Sequence, residues 1–268
     1  MNPRLSIWYA TDPMKDNSPD ISCYGFCSNN PINKVDPNGK ADYYSKINAK
    51  YLGTDNNQDT KDVLRLIDND DFNSFGSKDN LNISELESHS SLIKIEDDYI
   101  QSCIQHIRDE SFSTKLEHQV YLYLDRENSV ISSVFGETGS NDQSAIDFYP
   151  APSQGLSFIA NSDSPRNKII IGQVHGHPDS NKDRMKTLPE MSDFDKNVAV
   201  SMQIPIYGVD AMSESGKEGS SSSIHRVNPD GVKYTNVGKT IGKDKNGNTF
   251  NIGRDALIIW GKSSSPAE

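Results

Sequence analysis

The stretch His175-Gly176-His177-Pro178 is where residue types and spacing in this chain point to chemistry. It closes the most apolar run of the sequence, Lys168-Ile169-Ile170-Ile171-Gly172-Gln173-Val174, which reads as a strand buried on both faces. Side chains alternate along a strand, so both imidazoles project to the same side. Their Cα atoms would lie about 6 to 7 Å apart, close enough for two neutral imidazoles to share one tetrahedral zinc ion. Gly176 is expected to leave room for a substrate backbone, and Pro178 to end the ladder where strand becomes loop.

Two histidines leave a tetrahedral site short of a ligand. The segment Met191-Ser192-Asp193-Phe194-Asp195 opens the next helical pattern, and Ser192 and Asp195, three apart, face the same way. A Ser three residues before an acid at a helix start is also an ordinary capping arrangement. We therefore expect Ser192 near the N-cap and Asp195 turned towards the histidines as the third metal ligand.

The elements that must position these groups follow from periodicity. Ile95, Tyr99, Ile100, Cys103, Ile104 and Ile107 fall on one helical face, predicting a helix over about 96–109. Glu117 to Leu124 and Val130 to Phe135 read as two strands joined by a polar turn. A second helix is predicted over about 193–203, with Phe194, Val198 and Met202 as its apolar stripe. Further strands are read at 204–209 and 223–227, with a turn at Asn228-Pro229-Asp230-Gly231. The order helix, strands, helix, strands argues for a layered α/β domain.

The first 40 residues read as turns around short aromatic stretches, with Asn30-Pro31 and Asp36-Pro37-Asn38-Gly39 as punctuation. The run Cys23-Tyr24-Gly25-Phe26-Cys27-Ser28-Asn29-Asn30-Pro31-Ile32-Asn33-Lys34-Val35-Asp36-Pro37-Asn38-Gly39 closely resembles the end of the Rhs-repeat core. In such proteins that segment marks where a shared delivery scaffold stops and a variable C-terminal toxin begins. Some members cut themselves there through paired D-P-x-G motifs. The first of these is weakened here to Asp12-Pro13-Met14-Lys15, and Lys40 replaces the apolar residue that often follows the second. Residues 41–91 are polar and read as a linker with one small hairpin, built from Tyr51-Leu52-Gly53 and Val63-Leu64-Arg65-Leu66-Ile67.

From 92 to 262 the signature stretches resemble the JAB/MPN (JAMM) metalloproteases, whose pattern is a glutamate, then H-x-H-P, then S-x-x-D. The resemblance implies a cytidine-deaminase-like mixed sheet flanked by helices. It assigns His175, His177 and Asp195 to zinc and gives Ser192 a part in stabilising the oxyanion. The family's glutamate sits on an earlier strand; Glu117 fits by position, and Glu137, in the turn-like Gly136-Glu137-Thr138-Gly139, is its rival. One departure is plain: 14 residues, 178–191, separate His177 from Ser192, a longer loop than the family usually has. Zinc with three protein ligands keeps a position open for water, which Glu117 would deprotonate for attack on an amide carbonyl. Residues 263–268 are expected to be a disordered tail.

A net charge of −11 disfavours an enzyme whose affinity depends on basic side chains neutralising phosphates. Cys23, Cys27 and Cys103 make neither a disulfide framework nor a structural zinc pattern, and Cys103 reads as core. His225 reads as structural or exposed, and His89, His106 and His118 have no partner pattern. No run is apolar enough to span a bilayer, and the first residues lack the layout of a secretory signal. The two resemblances together imply a zinc peptidase or isopeptidase carried as a toxin, delivered into a target cell by a specialised secretion system and neutralised by a cognate immunity protein. The alternatives are a nuclease toxin using the same histidines and a metal-free protein-binding module of the same fold.

Overall fold

The computed structural model describes residues 41–55, 63–77, 80–140, 148–151, 156–159, 167–178, 191–212, 221–242 and 249–263. Residues 1–40, 179–190 and 264–268 lie outside them, and with them the Rhs-like motif and most of the expected disordered tail. In chain order the elements are β1 (Ala41–Ser45), β2 (Tyr51–Thr54), β3 (Val63–Ile67), α1 (Asn69–Phe75), β4 (Gly76–Ser77), β5 (Asn80–Leu81), α2 (Ile83–Ser88), β6 (Ser90–Leu92) and β7 (Lys94–Ile95). There follow α3 (Asp97–Thr114), β8 (Gln119–Asp125), β9 (Val130–Phe135), β10 (Phe148–Ala151), β11 (Leu156–Ile159), β12 (Lys168–Pro178), α4 (Asp193–Met202), β13 (Ile206–Ala211), β14 (Ser223–Val227), β15 (Lys233–Lys239) and α5 (Ile252–Lys262).

The main sheet has seven strands in the order β15-β14-β13-β12-β8-β9-β7, and it is mixed. β12 pairs parallel with β13 and antiparallel with β8, so the strand that ends in the histidines lies inside the sheet. Every residue from Ile169 to Gly176 is buried, because helices cover both faces. On one face lie α3 and α5: a Cβ on Gly176 would meet Ser111 of α3, and one on Gly172 would meet Ala256 of α5. On the other face lies α4, whose Asp195 reaches His175. The fold is thus mixed α/β, as the periodicity implied. Among the described residues no helix is long and apolar enough to cross a membrane.

The helices differ from expectation in ways that matter for the site. α3 continues to Thr114 and stops at Lys115, which takes a left-handed conformation with φ of 62°. Its extra turn buries Ser111 against β12, a polar contact that an apolar stripe could not foretell. In α4 the buried residues are Asp195, Val198 and Ala199, while Phe194 is exposed. The inward face is therefore turned one position from the predicted Phe194 stripe, because the carboxylate of Asp195 is drawn in.

Residues 41–91 are more than a linker. β2, β1, β3 and β6 form a four-stranded sheet in that order, and the two pieces expected to pair as a hairpin, β2 and β3, lie on opposite sides of β1. Adjacent tyrosines on β1 point to opposite faces. Tyr43 packs on Phe72 of α1 with ring centroids 5.7 Å apart, whereas Tyr44 joins the main core and lies against Gly261 of α5. Strands of three to five residues leave little periodic signal, and the sheet is made by burial of Ala41, Tyr43 and Ile67 in one apolar cluster and of Tyr44, Leu64 and Leu66 in the main core.

Candidate metal centre

His175 and His177 stand at the end of β12 on the face opposite α3, as alternation requires. The register across the sheet orders their neighbours into rows. His175 lies between Gln119 of β8 and Gly208 of β13, and Gly208 in turn faces His225 of β14. One step nearer the strand end, His177 pairs with Asp210 of β13. On the other side the amide of Gly176 donates to the carbonyl of His118, which brings Glu117 alongside His177.

The Nε2 atoms of the two histidines are 2.8 Å apart. Asp195 Oδ1 lies 3.2 Å from His175 Nε2, and Asp195 Oδ2 lies 3.6 Å from His177 Nε2. All three residues offer ligand atoms within 4.8 Å of one another. Ligands held about 2.0 to 2.1 Å from one tetrahedral ion are separated by about 3.3 Å, so a group with these spacings could hold a metal ion. His175 is fully buried, Asp195 nearly so, and His177 retains 11% side-chain exposure. Three converging nitrogen and carboxylate acceptors in so dry a place need a cation or a proton between them.

The electrostatics agree. Burial pushes the His175 imidazole down, but the Asp195 carboxylate, its hydrogen bond and the charge of Glu117 outweigh that and hold it above its ordinary value. Burial would likewise raise Asp195, yet the facing imidazoles and the Ser192 hydroxyl hold its carboxyl well below the usual range. His175 Nδ1 is buried with no hydrogen-bond partner. The ring nitrogens that face each other and Asp195 are Nε2 on both histidines.

Asp195 is fixed by a reciprocal capping box. Ser192 Oγ and the Ser192 amide both donate to Asp195 Oδ2 at 2.7 Å, and the Asp195 amide donates to Ser192 Oγ at 3.1 Å. The capping arrangement is present, and the same carboxylate faces the histidines: Oδ2 is tied to the helix start and Oδ1 lies towards His175. The Ser192 hydroxyl spends its only hydrogen on Asp195, so it must release that bond before it can serve an oxyanion.

Glu117 is 7% exposed, and its charge acts on His175. Glu137 is exposed in the segment after β9, where its carbonyl accepts a hydrogen bond from the Gln119 side chain at 2.8 Å. Gly176 differs from expectation. It faces Ser111 rather than the histidine side, with a Cβ placed 2.6 Å from Ser111 Cβ, so it exists for helix approach and not for substrate. The glycine that makes room at the histidines is Gly208, where a Cβ would lie 2.6 Å from Met191 Sδ and 2.8 Å from His177 Cε1. Neither chain comparison yields a relative. No family model and no curated protein matches this sequence.

Sequence reasoning missed Gly208 and Asp210, both in Tyr207-Gly208-Val209-Asp210. A glycine and an acid inside an apolar strand were the available signal. Gln119 and Gln173 are buried and hydrogen-bonded to each other on the histidine face, a pairing that strand alternation within either segment does not reveal. His225 is buried on that face and not exposed. Cys103 is a buried free thiol in the core. A cavity of about 160 Å³ between α3, β15 and α5 lies on the opposite face, away from the cluster.

Proposed function

We propose that this chain is a JAB/MPN-type zinc peptidase or isopeptidase, carried as the C-terminal toxin of an Rhs-type polymorphic toxin. The observation that carries the hydrolase reading is the buried convergence of His175, His177 and Asp195 with Glu117 close by. The toxin context rests on the resemblance of residues 23–39 to an Rhs core tail. On this reading the chain has a cognate immunity protein, and a protein or isopeptide in the target cell is its substrate.

His175 Nε2, His177 Nε2 and Asp195 Oδ1 would hold the ion. Zinc bound there supplies a Lewis acid that polarises an amide carbonyl and acidifies water. Glu117 accepts the proton of the attacking water and returns it to the leaving amine. Ser192 positions Asp195 and turns its hydroxyl to the oxyanion as that charge develops. Burial of the cluster keeps these charges in a medium where they act strongly.

Elemental mass spectrometry of the purified chain tests the reading. About one zinc per chain, lost in a His175→Ala/His177→Ala variant, is the expected result. Glu117→Gln should keep the zinc yet lower peptide hydrolysis by about 10²-fold or more. A folded protein that takes up no zinc overturns the hydrolase reading.

A further inference from the structure

We infer that Met191 Sδ is a further ligand at this centre and gives it a second metal, copper(I), held by His175 Nε2, His177 Nε2 and the thioether; the inference uses the two histidines of the zinc reading but does not require hydrolysis. Gly208 is what brings the sulfur in. The point where a Cβ on Gly208 would stand lies 2.6 Å from Met191 Sδ, 2.8 Å from His177 Cε1 and 3.0 Å from His177 Nε2. One gap over β13 is thus shared by a thioether and by the ring whose Nε2 faces that of His175 at 2.8 Å. Met191 is 4% exposed, so the sulfur meets the ring away from solvent.

The start of α4 therefore offers the two imidazoles two kinds of third ligand. Asp195 brings a charged, hard carboxylate oxygen, and Met191, four residues earlier, brings an uncharged, polarisable sulfur. Imidazole serves zinc and copper alike, so the third ligand decides between them. Carboxylate favours zinc, whereas thioether selects copper(I). Asp195 need not move to admit copper, because Ser192 holds its Oδ2 through both hydroxyl and amide. Copper(I) carries a single charge and polarises a bound water or carbonyl less than zinc does, so its binding here occupies the centre without activating it.

Met191 also packs in the main core, so the test must conserve volume. Copper(I) is supplied under argon as its tetrakis(acetonitrile) salt, in competition with bicinchoninate. The protein is the full chain carrying Cys23→Ser and Cys27→Ser, which removes two competing thiols and leaves the buried Cys103. Met191→Leu should weaken copper(I) binding by about tenfold or more and leave zinc affinity within about twofold. Asp195→Asn should do the reverse, weakening zinc by about tenfold or more and copper(I) far less. If Met191→Leu does not fold, the chain labelled with carbon-13 in its methionine methyl groups decides: one equivalent of copper(I) should shift one methyl signal more than zinc does. Undiminished copper(I) binding in a folded Met191→Leu protein, or no methyl signal that responds to copper(I), overturns the inference and leaves the zinc centre standing. A chain that takes copper(I) through Met191 but holds no zinc overturns the hydrolase reading alone.

Discussion

At the residue scale the site depends on side chains that hold its clustered groups in place. Ser192 contributes the N-cap of α4 and two of the contacts to Asp195 Oδ2. Ser192→Ala should therefore have two separable effects. Loss of the cap should cost about 1 kcal/mol in a denaturant titration. Loss of the carboxylate anchor should weaken zinc binding about 10- to 100-fold, measured by competition with a chelator. Gly208→Ala isolates the metal site further. A methyl there meets Met191 and the His177 ring, so zinc affinity should fall by about tenfold or more. Unchanged affinity in a folded Gly208→Ala protein would mean that His177 does not need its present orientation.

At the scale of elements, the position of β12 is set from behind as much as from the site. Gly176 admits Ser111 of α3, whose hydroxyl accepts the His118 amide at 3.0 Å. His118 in turn accepts from the Gly176 amide through its carbonyl. This short chain ties α3, the start of β8 and the end of β12 together, and so fixes Glu117 relative to the histidines. Gly176→Ala should destabilise the protein by about 1 to 3 kcal/mol through overpacking. Combining it with Ser111→Gly should cost less than the sum of the two single changes, because the second opens the space the first fills. Additive effects in thermal unfolding would show that the helix can move aside freely.

At the scale of the molecule, the small sheet shares the main core through Tyr44, Ala49, Leu64 and Leu66, and a polar clamp at Lys50 joins the two as well. Lys50 Nζ donates to the Trp260 carbonyl at 2.9 Å and to Ser263 Oγ at 2.9 Å, and lies 3.9 Å from the Trp260 ring centroid. Trp260 Nε1 donates to Asn48, and Arg126 donates to the Ile47 carbonyl. Burial pushes the Lys50 ammonium down to about 8. With the folded value below the unfolded one, the unfolded chain binds more protons between about pH 8 and 10.5, so this group adds stability as pH rises through that window. Relative to Lys50→Met, the wild type should gain on the order of 1 kcal/mol between pH 7.5 and 10, a figure reduced for the ammonium's remaining contact with solvent. A difference that does not vary with pH in thermal unfolding would contradict this.

The sequence by itself determined the local parts of this protein. Two histidines separated by one residue on an apolar strand must share a face, and a Ser three residues before an Asp at a helix start must meet it. Both rules act within a few residues, so the positions of β8, β9, β12 and α4 and the convergence of His175, His177 and Asp195 were legible. Tertiary structure decided what stands beside them. Register between strands set Glu117 and Asp210 on either side of His177 and left Glu137 exposed. Packing between layers turned Gly176 towards α3, gave the open space to Gly208 and made a sheet of residues whose polarity suggested a linker. Pairing and packing join residues dozens of positions apart, and no periodicity within one segment encodes which partner arrives.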